Sequence, residues 1–441
     1  MHRCEFGLVI LLFHLTDRTH VFSDAGKHYS RDVFAFLCLC LLAVSASSAT
    51  PSHRGTLLNR DQTDEWKGWM QVLFLLYHYF EAKELYNGIR LCIAAYVWMT
   101  GFGNFSYYVI RGDFSAGRIL AQMWRLNFFV LLLCCGLRNS YMLYYICPMH
   151  TLFTLLVYVA MRVRKDKNTS HLGVSLKLAA CLLGVVLLWD VPGVFHAFWR
   201  PFGFLVEYND PARPGNGDAL HEWFFRSGLD RYVWIYGMLC AHCHPYAERM
   251  LLYIDALPPG RRVIARAAIM AVSTTFLGAW YRKVYALPKL QYNVLHPYTS
   301  WIPITVCIVF RNLWPEMRRL HLSVFAWLGK ITLETYLCQF HIWLHTGRPD
   351  AQPGRILVLL RAFMHGDKLE PSHALEYPLI NFWFSTAIYV LVSRRVFDLT
   401  CSLSTVCVPL NDLAKLKEHC VVGAVIVACL AVFAAALHAV L

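Results

Sequence analysis

Apolar residues gather in long runs along this chain of 441 residues, and polar residues fill the short gaps between them. Ten runs stand near 89–109, 119–137, 140–161, 174–190, 230–247, 264–284, 298–313, 322–345, 378–396 and 420–440. Each approaches the ~20 residues of a membrane-spanning helix. The pattern predicts an all-α, polytopic integral membrane protein, with about ten transmembrane helices around a polar core. One run, GKITLETYLCQFHIWLH (Gly329–His345), is broken by Lys330, Glu334, His341 and His345. At about 100° per residue, with Lys330 at zero, Glu334 falls near 40°, Cys338 near 80°, His341 near 20° and His345 near 60°. Gln339 falls on the opposite side. A charge at mid-membrane costs at least ~2.5–3.5 kcal/mol. The stripe therefore predicts a helix face turned to a wet or partnered interior.

Ahead of these runs the pattern changes. Residues 27–49, KHYSRDVFAFLCLCLLAVSASSA, carry a basic flank, an apolar core and small residues, as a signal peptide or signal anchor does. The weaker run at 7–15 reads as an upstream extension, and neither segment is expected to enter the fold. The expected division is 1–49 signal segment, 50–63 polar linker on the lumenal side, and 64–441 membrane domain. Asp64–Phe80 has only ~13 apolar residues, so it is expected to be re-entrant or interfacial. Lys67, Gln71 and His78 share one face of it. Basic residues recur at every second connection, at Arg111/Arg118, 162–167, Arg249/Arg261/Arg262, Arg311/Arg318/Arg319 and 394–417. The positive-inside rule makes those loops cytoplasmic. The aromatic insertion 191–229, broken by Pro211, Pro214, Gly215 and Gly217, is then lumenal and placed as a lid.

Composition agrees with a membrane protein. Hydrophobic residues make up 57% and charged residues 16%, against about 25% charged in soluble domains. The net charge of +13 sits in short loops beside the bilayer and implies no nucleic-acid partner. Most of the sixteen cysteines lie inside apolar runs, where they act as small hydrophobes rather than a disulfide framework. CAHCHP (Cys240–Pro245) sets His242 and His244 two apart, on different helix faces, so no metal is expected. Asp218–His221 has the spacing of an esterase Asp-x-x-His, without a serine block before it. Asn168-Thr169-Ser170 is a glycosylation sequon in a loop expected to be cytoplasmic. No Gly-rich phosphate loop is present.

Six blocks carry a resemblance. They are DEWKGWMQ (Asp64–Gln71), YVWMTGFGNFSYY (Tyr96–Tyr108), WRLNF (Trp124–Phe128), EWFFRSGLDRYVWIYGM (Glu222–Met238), LHPYTSW (Leu295–Trp301) and WLGKITLETYLCQFHIWL (Trp327–Leu344). In order, from about 62 to 400, they resemble the ten-transmembrane acyltransferase domain of sialate O-acetyltransferase, the fungal capsule O-acetylation protein and the plant reduced-wall-acetylation proteins. The resemblance implies a Golgi membrane enzyme passing acetyl from cytosolic acetyl-CoA to hydroxyls of lumenal glycans. In two of those proteins a lumenal esterase-like domain precedes the membrane block. Here only the linker stands in that place, so a separate lumenal esterase-like partner is the alternative recipient of the acetyl group.

With these substrates, acyl transfer needs a base and an oxyanion partner. His341 is the expected base or acyl carrier. Glu334 orients it, Lys330 or Arg125 balances charge, and His78 and His296 are second-choice bases. Arg311, Arg318 and Arg319, with Arg261 and Arg262, are the expected phosphate contacts for acetyl-CoA. Trp223, with Glu222 and Arg226 beside it, is the expected sugar platform at the lumenal end. A buried Glu and His chain serves a transporter, of acetyl-CoA or of a proton-coupled solute, equally well.

Overall fold

The computed structural model describes residues 2–52, 55–212, 217–359, 378–409, 412, 414–423 and 425. Fifteen of the helices among the described residues organise it. They are α1 His2–Arg18, α2 Arg31–Ser47, α3 Arg60–Phe80, α4 Tyr86–Arg111, α5 Ala116–Leu137, α6 Ile146–Arg162, α7 His171–Val185, α8 His221–Leu229, α9 Val233–Ala256, α10 Pro259–Trp280, α11 Lys289–Thr299, α12 Trp301–Asn312, α13 Ser323–Lys330, α14 Thr332–Ile342 and α15 Pro378–Cys407. Two small antiparallel sheets join the ends. One has the order β1 Ser23–Gly26, β5 Arg355–Val358, β4 Leu344–His345; the other pairs β2 Ala49–Pro51 with β3 Leu320–Leu322. The expected runs up to residue 396 each contain a helix. The last, at 420–440, lies mostly outside the described residues, as do Pro214 and Gly215. Among the described residues, three helical stretches are long and apolar enough to cross a membrane: Ala116–Leu137, His171–Asp190 and Pro259–Tyr285. Ile146–Arg162 and Trp301–Asn312 are apolar but shorter.

Contacts sort the helix ends into two sets. At one end Glu5 pairs with Arg395 at 2.8 Å, Arg311 with Glu65 at 3.1 Å, and β2 with β3. Asn59 and Gln62 both donate to the Arg318 carbonyl, at 3.2 and 3.1 Å. This end gathers the basic loops. At the other end Arg18 reaches Thr346 at 2.6 Å, Arg31 pairs with Glu84 at 2.6 Å, Tyr208 donates to the Asp350 carbonyl at 2.7 Å, and β1 pairs with β5.

This partition corrects the reading of the first eighty residues. The linker 50–63 meets the 311–322 loop, although the two were expected on opposite sides. The count closes once α1, α2 and α3 each run from one end to the other. α3 is one continuous helix of 21 residues, about 30 Å long at ~1.5 Å per residue. Asn59 caps its start by accepting from the Gln62 N–H at 3.0 Å. Its polar first turns carry buried Gln62, Asp64 and Glu65, which is why hydropathy understated it. The segments expected to stand apart from the fold also pack in the main core, through Phe6 and Phe13 of α1 and Phe34 and Leu37 of α2.

The run 322–345 is not one helix. It breaks at Ile331 (φ −110°, ψ 20°) and ends at Ile342, so Lys330 lies on α13 and His345 on β4. The common face survives only for Glu334, Cys338 and His341. Gln339 is buried as well, within nine consecutive buried residues from Glu334 to Ile342. From Glu334 onward α14 therefore has no solvent face.

Candidate active site

A partly open cavity of about 580 Å³ lies between α3, α4, α5, α6, α13, α14 and α15. That lies inside the ~300–1,000 Å³ range of small-molecule sites. α3 and α13 build its mouth through backbone approach. A Cβ at Gly329 would fall 1.9 Å from the Asp64 carbonyl oxygen, and one at Gly68 would fall 1.8 Å from that of Phe325. Only glycine allows this contact. It sets Asp64 and Lys67 of α3 beside Lys330 of α13. Lys67 Nζ lies 3.0 Å from Asp64, and Arg60 lies 3.7 Å from it. Lys330 is exposed and forms no ion pair among the described residues.

Deeper in, Arg125 forms a bidentate pair with the fully buried Glu334, its second bond 2.9 Å long. Glu334 fixes the guanidinium while Arg125 faces the cavity. His150 of α6 lines the same wall, with Nδ1 2.8 Å from Thr100 Oγ1. Thr100 also donates to the Tyr96 carbonyl at 3.2 Å, the usual bond of a helical threonine. The Thr100 hydroxyl thus holds one ring nitrogen of His150. Phe74, Tyr336 and Ile146 close the inner end.

Several expected residues lie elsewhere. His341 is fully buried, with Nδ1 2.8 Å from Asp17 of α1 and Nε2 2.6 Å from the Tyr144 hydroxyl. Both ring nitrogens are engaged, and His341 does not line the cavity. Arg311 is bonded to Glu65, and the buried Arg318 to Asp255; both are committed to internal ion pairs. Arg262 donates to the Asp255 carbonyl at 3.2 Å, while Arg261 and Arg319 are exposed. Trp223 is 1% exposed and packs on Trp199 at 5.3 Å, so the expected sugar platform is closed. Its neighbours Glu222 and Arg226 pair at 3.1 Å, and the Arg226 guanidinium stacks on Tyr145 at 4.5 Å. His78 lies on Phe74 at 4.5 Å, beyond the inner end. His296 is buried against Tyr292 at 2.9 Å and lies 3.5 Å from Asp230. His242 and His244 diverge, to His171 and to the Leu57 carbonyl.

Of the expected catalytic set, Arg125 and Lys330 reach the cavity. The sequence pattern passed over His150 and Thr100. The available signal was His150 itself, in a run (140–161) free of Asp, Glu, Lys and Arg. Asp17 was missed because its segment was set aside.

The family model described as "10 TM Acyl Transferase domain found in Cas1p" matches residues 1–420. The chain belongs to that family. Its match includes α1 and α2. The chain is also similar to the N-acetylneuraminate (7)9-O-acetyltransferase of Danio rerio, at 31% identity over 429 residues, 94% of this chain and 51% of the relative. It thus spans about half the length of that curated relative. No solved structure matches the chain.

Proposed function

We propose that this chain is a membrane-bound O-acetyltransferase. It takes acetyl from acetyl-CoA on the cytoplasmic side and delivers it to glycan hydroxyls on the lumenal side of a Golgi or other secretory-pathway membrane. The family and the similar sialate acetyltransferase support the reaction class. The observation that carries the reading is a partly open cavity lined by Arg60, Lys67 and Lys330 toward one end and by His150 further in. The mouth lies at the end that gathers the basic loops, which takes the cytoplasmic side by the positive-inside rule. Arg60 and Lys67 share Asp64, so Lys330 supplies the uncompensated charge for the CoA phosphates. The acetyl thioester is the small end of the donor and enters toward His150.

His150 acts as the general base through Nε2, and Thr100 positions its ring. Arg125, held by Glu334, adds positive charge along the wall. The acceptor comes from the other end, past His78, Tyr145, Glu222 and Arg226. An acidic sugar of the kind in the relative's name suits Arg226. The recipient is that glycan, or the serine of a lumenal esterase-like partner.

The test is donor affinity. Lys330→Glu should raise KM for acetyl-CoA at least tenfold with kcat retained, since one charge-assisted bond contributes ~1.5–3 kcal/mol. An unchanged KM would move the donor site out of this cavity.

A further inference from the structure

We infer that the Tyr336 hydroxyl and the first turn of α6 form the oxyanion site of the transfer, at the inner end of the cavity. This rests on the reading of that cavity as the acetyl-CoA site. Tyr336 is 3% exposed, yet its Oη makes no hydrogen bond within the structure. Such a buried donor is costly unless something else accepts from it. Its ring is packed on Phe74 at 5.9 Å and on Phe340 at 5.6 Å.

Ile146, the first residue of α6, lines the same cavity as Tyr336. The leading N–H groups of a helix have no partner within it, and they form its positive end. α6 is a 17-residue helix, and Pro148 offers no N–H. Ile146 and Cys147 therefore supply the donors of this turn. His150 stands one turn on from Ile146, on the same face. One helix thus carries the base and part of the anion site.

The step balances as follows. The acceptor oxygen bonds to the thioester carbonyl carbon and gives its proton to His150 Nε2. The carbonyl π pair moves onto oxygen, where Tyr336 O–H and Ile146 N–H donate to it. Collapse re-forms C=O and breaks the C–S bond. The departing thiolate takes the proton from His150. No oxidation or reduction occurs.

Tyr336→Phe removes the hydroxyl and keeps the ring. In vesicles carrying the full chain, labelled acetyl-CoA and N-acetylneuraminate serve as probes. The variant's kcat should fall about 10²–10³-fold, as for loss of one oxyanion donor. KM for acetyl-CoA and the thermal unfolding midpoint should stay at the parent values. A kcat within about threefold of the parent overturns the assignment. So does a kcat loss matched by a raised KM and a lowered midpoint, which marks a packing role. Lys330→Glu separates the two levels. If it leaves KM unmoved, the cavity reading itself falls. If it raises KM while Tyr336→Phe keeps its kcat, only the oxyanion assignment falls.

Discussion

His341 and His150 sit in the same bundle and meet different surroundings. His341 touches Asp17, Tyr144 and the ring of Phe13 at 5.7 Å. Asp17 in turn accepts from the Thr346 N–H at 2.7 Å and pairs with Arg18 at 2.9 Å. This is a closed knot that ties α1 to α14, with no opening for a substrate. His150 has Nδ1 held by Thr100 and lines a cavity. The sequence singled out His341 because an ionisable residue in an apolar run is conspicuous in either role. What separates the two is the partner at each nitrogen, and Asp17 lies 324 positions away. His341→Ala is expected to act on stability, since breaking a buried pair costs ~3–5 kcal/mol. A lowered unfolding midpoint with near-normal turnover per folded molecule is the expected result. A full midpoint with abolished turnover would return His341 to the chemistry.

At the scale of elements, helix positions were legible and helix continuity was not. Long apolar runs must satisfy their backbone internally, so nearly every run became a helix. The break at Ile331 is set by packing. α13 lies so close on α3 that Gly329 touches the Asp64 carbonyl, and β-branched Ile331 and Thr332 follow at once. A second glycine contact joins α4 to α9, where a Cβ at Gly101 would fall 2.0 Å from the Trp234 carbonyl oxygen. Such approaches need a partner surface, which no single run reveals. Gly329→Ala should force α3 and α13 apart. Overpacking costs ~1–3 kcal/mol, and the shift displaces Asp64 and Lys330 together. Thermal unfolding should show a lower midpoint, and KM for acetyl-CoA should rise. A variant unchanged in both would mean that this contact does not set the mouth of the cavity.

For the whole molecule, the alternation of basic loops assigned the two ends from α4 onward, and the contacts between ends agree with it. The sequon asparagine, Asn168, is engaged within the chain. Its side chain is buried, donating to the Met161 carbonyl at 3.0 Å and accepting from Lys177 at 2.6 Å. The sequon amide is spent inside the protein. The first eighty residues misled because α1 and α2 are short, basic-flanked and apolar, which is also how a targeting segment looks. Their burial against distant parts of the chain distinguishes them. With both ends assigned, the central claim is that acetyl passes through the bundle from one side to the other and that His150 is its base. The most direct measurement uses sealed vesicles with the basic end outward, labelled acetyl-CoA outside and N-acetylneuraminate inside. The parent chain should release free CoA outside and form acetylated sugar inside. His150→Ala should slow this by ~10²–10⁴-fold while still binding acetyl-CoA. Transfer by His150→Ala at the parent rate, or intact acetyl-CoA accumulating inside, would contradict the account.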